Sequence, residues 1–234
     1  MLPVAILAGG LATRLDPISR TVPKALVDVA GRPFVKRQLD LLASRGVGRV
    51  VLCVGHLGEQ VRAEVGDRGP LGMEIAYSFD GPRLLGTAGA LRQALPLLGR
   101  RFLVLYGDAF LPIDFRAVEE AFLTCGKPAL MTVLRNEGRW DRSNVELRDG
   151  VLVRYDKRQP GAAMTYIDYG LGALRAELLE GPAGGETFDL ADLYSSLSER
   201  GLLAAYEVSE RFYEVGSHQG LAETIEYFRT KEIS

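Results

Sequence analysis

Residues 3–15 have the sequence PVAILAGGLATRL, and this stretch decides the fold. The apolar run Pro3–Leu7 is short and is followed by two glycines, which predicts a strand buried on both faces, as in a parallel sheet. Ligands of open α/β sheets bind beyond the carboxyl ends of the strands, where the segment from Leu7 to Leu15 begins. Its glycines let backbone N–H groups cradle phosphates, while Thr13 and Arg14 add a hydroxyl and a fixed cation. The segment therefore predicts an anion-binding loop.

This loop matches neither of two common nucleotide-binding fingerprints. It contains no GxxxxGK[ST] and no GxGxxG pattern, which argues against a P-loop kinase and a dinucleotide-dependent dehydrogenase. A Gly-Gly pair after a strand is often only a tight turn, so the pair alone would leave the function open. The cations Arg14 and Lys24, the latter in a Pro23-Lys24 pair, favour a bound anion instead.

Strand-like and helix-like segments alternate along the chain. Alternation of this kind predicts an α/β fold, a doubly wound, Rossmann-like mixed sheet flanked by helices. An Asp149-Gly150 turn between short alternating runs predicts a hairpin and the start of a mixed second half. After the first strand, the predicted strands are 49–54, 73–79, 102–106, 129–134, 144–147, 151–155, 166–174 and 203–208, and the predicted helices are 34–45, 57–65, 87–98, 115–125, 190–200 and 221–229.

The composition excludes several classes of partner. Lys plus Arg total 28 against 30 Asp plus Glu, so the chain lacks the positive field of a nucleic-acid binder. Cys53 and Cys125 form no CxxC pair, and neither a disulfide framework nor a zinc site is indicated. We find neither a basic leader nor an apolar segment long enough to span a bilayer. We therefore expect no membrane partner and a cytoplasmic location.

The segments 7–15 and 23–24 resemble the signature of the sugar-phosphate nucleotidylyltransferases, a GGxGTRL stretch followed by PK. Within that family the chain is most similar in pattern to short bacterial heptose or hexose 1-phosphate enzymes, including guanylyltransferases for manno-heptose 1-phosphate. Further similar segments are GTAGAL at 86–91, YGD at 106–108, DK at 156–157, YG at 169–170 and FYEVGS at 212–217. The resemblance implies one nucleotide-diphospho-sugar transferase domain over 1–234, with a nucleotide-binding half at 1–135 and a sugar-phosphate-binding half at 136–234 on one continuous sheet.

The reaction that the resemblance implies joins a nucleoside triphosphate to a sugar 1-phosphate and releases pyrophosphate. Both substrates are anionic, so fixed cations and a metal ion must offset their repulsion. By resemblance, Arg14 would hold the departing pyrophosphate, and Lys24 would neutralise the α-phosphate and the attacking phosphate. Asp108 follows a predicted strand at the same sheet edge and is the leading Mg²⁺ ligand, with capping of the next turn as its alternative role.

A second metal ligand is expected at Glu214, where the family usually has an aspartate before Gly-Thr or Gly-Ser. The longer side chain can still reach a magnesium ion, and a purely structural role stays open for it.

Substrate-binding residues are predicted in two groups. Gly86 and Thr87 open a helix whose free N–H groups could lie against a ligand, which the resemblance implies is the nucleobase. Asp168 and Tyr169 lie in a strand expected to line the sugar pocket, where hydroxyls need partners and a ring can cover an apolar face. The predicted nucleotide-binding residues are Leu7, Ala8, Gly9, Gly10, Thr13, Gly86 and Thr87. The predicted sugar-phosphate-binding residues are Lys157, Asp168, Tyr169 and Gly170, although Lys157 could instead be an ordinary exposed lysine.

Two alternatives remain at the level of sequence. One is a catalytically silent regulator that binds nucleotides or sugars on the same fold, against which Arg14, Lys24, Asp108 and Lys157 argue. The other is a uridylyl- or cytidylyltransferase for a different phosphorylated acceptor. The chain ends soon after Glu214, so we expect a transferase without an appended domain. Dimers are common in the family, and a homodimer is compatible with a sequence that identifies no interface.

Overall fold

The computed structural model describes residues 1–10, 21–180 and 187–233. Within these ranges the chain forms thirteen strands and six α-helices. The strands are β1 (Val4–Leu7), β2 (Asp28–Val29), β3 (Arg32–Pro33), β4 (Arg49–Val54), β5 (Glu74–Phe79), β6 (Arg101–Tyr106), β7 (Ala109–Phe110), β8 (Ala129–Arg135), β9 (Val145–Arg148), β10 (Val151–Tyr155), β11 (Tyr166–Arg175), β12 (Leu203–Val208) and β13 (Tyr213–Glu214). The helices are α1 (Phe34–Ser44), α2 (Gly58–Val65), α3 (Thr87–Leu98), α4 (Phe115–Thr124), α5 (Leu190–Glu199) and α6 (His218–Ile233).

One large sheet runs through both halves of the described chain. Its strand order is β10-β9-β11-β6-β1-β4-β5, and β8 pairs with both β11 and β12. The neighbours β6, β1, β4 and β5 are parallel, whereas β11 is antiparallel to both β6 and β8. Helices cover both faces of this mixed sheet, so the predicted Rossmann-like α/β fold is confirmed.

The direction of winding reverses between β1 and β6. From β1 the chain passes through α1 to β4 and through α2 to β5, and α3 then returns it to β6 on the other side of β1. Gly107 makes this junction close: its N–H donates to the Leu7 carbonyl oxygen over 3.1 Å, and a Cβ at this position would overlap that oxygen. Ligands of doubly wound folds bind at such a switch point.

Alternate side chains of the central strands enter different cores, as expected for strands buried on both faces. Val4 and Ile6 pack in the core that contains buried residues of α1, α2 and α4, while Ala5 packs in the core with α3 and α5. A third cluster joins α6 to β2, α1 and β7 through Val29, Phe34, Phe110, Val215 and Phe228.

The predicted long elements agree with the structure to within a few residues, and the short pairs β2–β3 and β7–β13 were not predicted. Over residues 1–10, 21–180 and 187–233, no helix combines the length and the apolar character needed to cross a membrane.

Candidate active site

Two adjoining cavities of about 590 and 600 Å³ lie at the carboxyl ends of the parallel strands. Cavity 1 lies beyond β1, β4, β5 and β6, and residues from the Leu7 segment, Asp80 and Gly86 line it. Cavity 2 lies on the other side of the β6 end, where Asn144, Asp168 and β13 line it. The two cavities share the residues Tyr106, Asp108 and Lys157.

The structure places the predicted site residues that it describes in these two cavities. Thr13 and Arg14 lie outside the described residues. Cavity 1 contains Leu7, Ala8, Gly9, Gly10, Lys24, Gly86 and Thr87. Cavity 2 contains Asp168, Tyr169, Gly170 and Glu214, and both cavities contain Asp108 and Lys157.

Lys24 and Asp108 form an ion pair at the junction, with 2.9 Å between Nζ and Oδ2. Lys24 comes from a short 3₁₀ turn after Pro23, and Asp108 lies two residues after β6, where its backbone oxygen accepts a hydrogen bond from Val215 N–H over 2.9 Å. The two side chains are 18% and 31% exposed. Partly solvated pairs contribute only about 1 kcal/mol or less, so Lys24 can exchange this carboxylate for a phosphate, and Asp108 can exchange the ammonium for a metal ion.

Asp108 fits a metal that arrives with phosphate ligands. In the described part of the chain, no three His, Cys, Asp or Glu side chains cluster closely enough to hold a metal ion by themselves. Magnesium commonly takes one or two protein carboxylates and completes its shell with water and substrate phosphates. The donor set therefore suits a magnesium–triphosphate complex rather than a preformed protein cage.

The start of α3 differs from the prediction of free N–H groups beside Gly86. Thr87 N–H donates to Asp189 Oδ1 over 3.2 Å, and the next two N–H groups of α3 donate to the Phe188 carbonyl oxygen over 2.9 and 3.0 Å. That expectation was wrong because the segment before α5, and not a ligand, satisfies the first turn of the helix. Gly86 and Thr87 nevertheless line cavity 1.

Asp168 forms a fixed hydrogen-bond acceptor in cavity 2. Its Oδ2 accepts from the Tyr106 hydroxyl over 2.7 Å and its Oδ1 from Gly170 N–H over 3.0 Å, while its own N–H donates to Asn144 Oδ1 over 2.9 Å. Burial raises the pKa of Asp168, an effect opposed by the two donors and by the charge of Lys157. The remaining acceptor capacity of this carboxylate suits sugar hydroxyls, which are donors.

Tyr169 was expected to present its ring to a sugar, but it is only 2% exposed and packs at 88° against Phe212, with ring centroids 5.9 Å apart. Phe212 also contacts Trp140, with a centroid separation of 5.7 Å. Trp140 and Phe212 are partly exposed and line cavity 2, so they provide aromatic surface that sequence analysis did not single out.

Lys157 reaches the junction from a turn that Asp156 organises. Asp156 Oδ1 accepts from the N–H groups of Arg158 and Gln159 over 3.0 and 2.8 Å, and Oδ2 accepts from Arg154 over 2.8 Å. Led by the Gln159 N–H, these donors lower the pKa of Asp156. A short aspartate side chain suits such a turn.

Glu214 directs its carboxylate to the first turn of α6. Its oxygens accept hydrogen bonds from Gly216 N–H and from the Ser217 hydroxyl, the latter over 2.5 Å. Its backbone oxygen accepts from the Thr224 hydroxyl over 2.8 Å. The side chain therefore has partners within the chain, and its role as a metal ligand stays a prediction.

The sequence analysis did not single out Asp80 and Asn144, which line the cavities, and it noted Tyr106 only as part of the YGD segment without a role. Asp80 directly follows β5 at the carboxyl edge of the sheet, so the strand-end rule that selected Asp108 could have selected it too. Burial raises the pKa of Asp80, with opposition from the Leu85 N–H, which donates to Oδ2 over 3.4 Å.

We predict that Tyr106→Phe lowers the free energy of unfolding by about 1–3 kcal/mol, because Asp168 loses a charge-assisted donor. The pKa of Asp168 in the folded chain lies above its ordinary value of 3.8. The stability that Asp168 contributes is therefore fully present below about pH 3.8 and is lost as the pH rises through the raised pKa. Without the Tyr106 hydroxyl that pKa rises further, and the loss is larger at about pH 8 than at about pH 4.

Urea unfolding at the two pH values measures this effect. Tyr155→Phe is the matched control, since the buried Tyr155 hydroxyl has no hydrogen-bond partner among the described residues. Equal losses for Tyr106→Phe and Tyr155→Phe, or a loss that does not depend on pH, would contradict the prediction.

Comparison with known proteins identifies the family of this chain. The family model described as nucleotidyl transferase matches residues 4–138, more than half of the chain. A relative from Neisseria meningitidis serogroup B, N-acetylmuramate alpha-1-phosphate uridylyltransferase, is 32% identical over 218 residues, which cover 91% of this chain and 92% of the relative. The chain therefore belongs to the nucleotidyl transferase family, as the sequence motifs predicted.

Two further proteins are similar to this chain over most of its length. The mannose-1-phosphate guanylyltransferase catalytic subunit beta of Xenopus tropicalis is 27% identical over 217 residues, covering 90% of this chain but 60% of that protein. The crystal structure of HddC from Yersinia pseudotuberculosis complexed with GMP-PN superposes with a TM-score of 0.80 over 97% of this chain and 100% of HddC, at 23% identity. That likeness supports the fold.

Proposed function

We propose that this chain transfers a nucleoside monophosphate from a nucleoside triphosphate to a sugar 1-phosphate. An oxygen of the acceptor phosphate bonds to the α-phosphorus, the bond from that phosphorus to the β-phosphate bridging oxygen breaks, and pyrophosphate leaves with the electron pair. The observation that carries the proposal is the meeting of two cavities at Asp108 and Lys157, with Lys24 beside them. Two anionic substrates could meet there with cations on either side.

In this proposal each charged residue has a separate task. Lys24 lies on the cavity 1 side and neutralises the α-phosphate, while Lys157 lies at the junction and binds the acceptor phosphate. Asp108 holds Mg²⁺, which would supply electrostatic stabilisation of the phosphate oxygens. Arg14, outside the described residues, is proposed to hold the pyrophosphate. Leu7, Ala8, Gly9, Gly10, Thr13, Gly86 and Thr87 are proposed to bind the nucleotide.

The nucleotide that we propose is GTP, with Asp80 near its base. Adjacent strands lie about 4.8 Å apart, so the ends of β5 and β6, three strands apart, are separated by about 14 Å. This separation suits a nucleoside whose α-phosphate lies at Asp108 and whose base lies at Asp80. A carboxylate only accepts hydrogen bonds, and guanine offers two adjacent donors where uracil offers one between two carbonyls.

The acceptor that we propose is a manno-type heptose or hexose 1-phosphate, bound in cavity 2. Asp168 and Gly170 would face its hydroxyls, and Trp140 and Phe212 would lie against its less polar surface. The mannose-1-phosphate guanylyltransferase among the relatives supports this choice of base and sugar. The uridylyltransferase among them supplies the alternative, transfer from UTP to a different sugar 1-phosphate.

A pyrophosphate-release assay with crossed panels tests the proposal. The nucleotides are GTP, UTP, CTP, ATP and dTTP; the acceptors are mannose, glucose, manno-heptose and N-acetylmuramate 1-phosphates. We expect release only when nucleotide, acceptor and Mg²⁺ are all present, with the highest kcat/KM for GTP and a manno-type acceptor. Binding without turnover would support the silent regulator, whereas a preference for UTP would overturn the choice of base but not the reaction.

A further inference from the structure

Glu214 and Gly220 form a contact at the first turn of α6 that fixes the direction of the Glu214 side chain. The Glu214 oxygens accept from Gly216 N–H and from the Ser217 hydroxyl, and Ser217 Oγ in turn accepts from Gly220 N–H over 3.0 Å. Ser217 thus caps one N–H group in the first turn of α6, and the Glu214 carboxylate holds the Ser217 hydroxyl and the Gly216 N–H directly before the helix. The negative charge also lies at the favourable end of the helix dipole.

Gly220 is the residue that makes room for this arrangement. A Cβ built on Gly220 would overlap the Glu214 carboxylate and would also contact the Glu214 backbone oxygen. Glycine normally weakens a helix by about 1 kcal/mol relative to alanine, so a glycine in the first turn of α6 needs a reason. The space occupied by the Glu214 carboxylate provides that reason.

The same contact holds the segment beside Asp108. β13 pairs with β7 in the register Glu214 to Ala109, and Val215 N–H donates to the Asp108 backbone oxygen over 2.9 Å. The Thr224 hydroxyl, from the second turn of α6, donates to the Glu214 backbone oxygen. Glu214 thus joins α6 to the strand pair that follows Asp108, through its backbone and through the two hydrogen bonds that its carboxylate accepts.

We propose that the Glu214 carboxylate supports the N-terminal cap of α6 and is not a ligand of the metal. Of the two carboxylates Asp108 and Glu214, only Asp108 then binds the metal. This inference rests on the proposed function, because it concerns the metal of that reaction. A site with one protein carboxylate depends on phosphate oxygens for the rest of its ligands, so the metal binds together with the triphosphate and only weakly without it.

Binding of Mn²⁺ in the presence of a nonhydrolysable GTP analogue, followed by electron paramagnetic resonance of the free ion, tests the ligand set. We expect Asp108→Asn to raise the Mn²⁺ dissociation constant about tenfold or more and Glu214→Gln to change it less than about twofold. Comparable losses in the two variants would overturn the inference. If the wild-type chain forms no complex with Mn²⁺ and any nucleotide of the panel, the proposed function fails instead.

A cycle of melting temperatures tests the contact independently of nucleotide binding. We expect Gly220→Ala to lower the Tm by about 2–4 °C in the wild-type chain, because alanine displaces the Glu214 carboxylate from the helix terminus. In a Glu214→Ala background the same substitution should lower the Tm by a smaller amount, because the overlap with the carboxylate is gone and only the contact with the backbone oxygen of residue 214 remains. The same change in Tm in both backgrounds would overturn the proposed contact.

Discussion

Asp108→Asn is expected to lower turnover by about tenfold or more at limiting Mg²⁺, while the fold is retained. The neutral amide keeps the shape of the side chain but loses the charge that attracts the metal, so the variant should recover part of its rate as the Mg²⁺ concentration is raised. Loss of the partly exposed pair with Lys24 should reduce the free energy of unfolding by about 1 kcal/mol or less. Steady-state rates across a Mg²⁺ series, with melting temperatures alongside, measure both effects.

Asp149→Asn is the matched control for this substitution. Asp149 is exposed in the β9–β10 turn, at the opposite end of β10 from Lys157, and asparagine suits its positive φ of 50°. The control should show wild-type turnover at every Mg²⁺ concentration. A rate for Asp108→Asn that matches the wild type at limiting Mg²⁺ would refute the metal-binding role of Asp108.

A candidate site at the carboxyl ends of the parallel strands could be predicted from sequence because that edge depends on long periodic elements, whereas the β1–β6 switch point became visible only with the strand order. Strand β1, helix α3 and strand β6 each carry an apolar pattern strong enough to fix their order, and parallel strands bring their carboxyl ends to one edge. Leu7 and Gly107 are therefore hydrogen-bonded in the structure although a hundred residues separate them in sequence. The structure explains the glycine at 107, since a Cβ there would overlap the Leu7 carbonyl oxygen.

Features set by tertiary packing were not predictable in the same way. Two-residue strands such as β13 have no periodicity, so the pairing of Glu214 with Ala109 beside Asp108 could not be foreseen. The first N–H groups of α3 donate hydrogen bonds to Phe188 and Asp189, which lie about a hundred residues away in sequence, so the pattern of α3 alone could not predict these partners. Tyr169 illustrates the same limit, because a strand pattern does not say whether a buried ring faces a cavity or packs under it.

Lys24→Met is expected to lower kcat by about a hundredfold or more, since a fixed cation at the junction offsets charge that develops as the two phosphates approach. Methionine keeps most of the length of the side chain, so the expected decrease in kcat reflects lost charge rather than lost packing. Lys24→Arg should recover only part of the wild-type kcat, because a planar guanidinium does not act as a compact point charge. Single-turnover rates at saturating nucleotide measure the effect apart from binding. Lys36→Met, which breaks an exposed ion pair with Glu64 on α2, is the control and should leave kcat unchanged.

A double variant of Lys24 and Asp108 tests whether the two residues act together. Because their side chains form an ion pair, the fold-decrease in kcat of the double variant should be smaller than the product of the two single fold-decreases. A decrease equal to that product would mean that the residues do not act on one phosphate–metal unit.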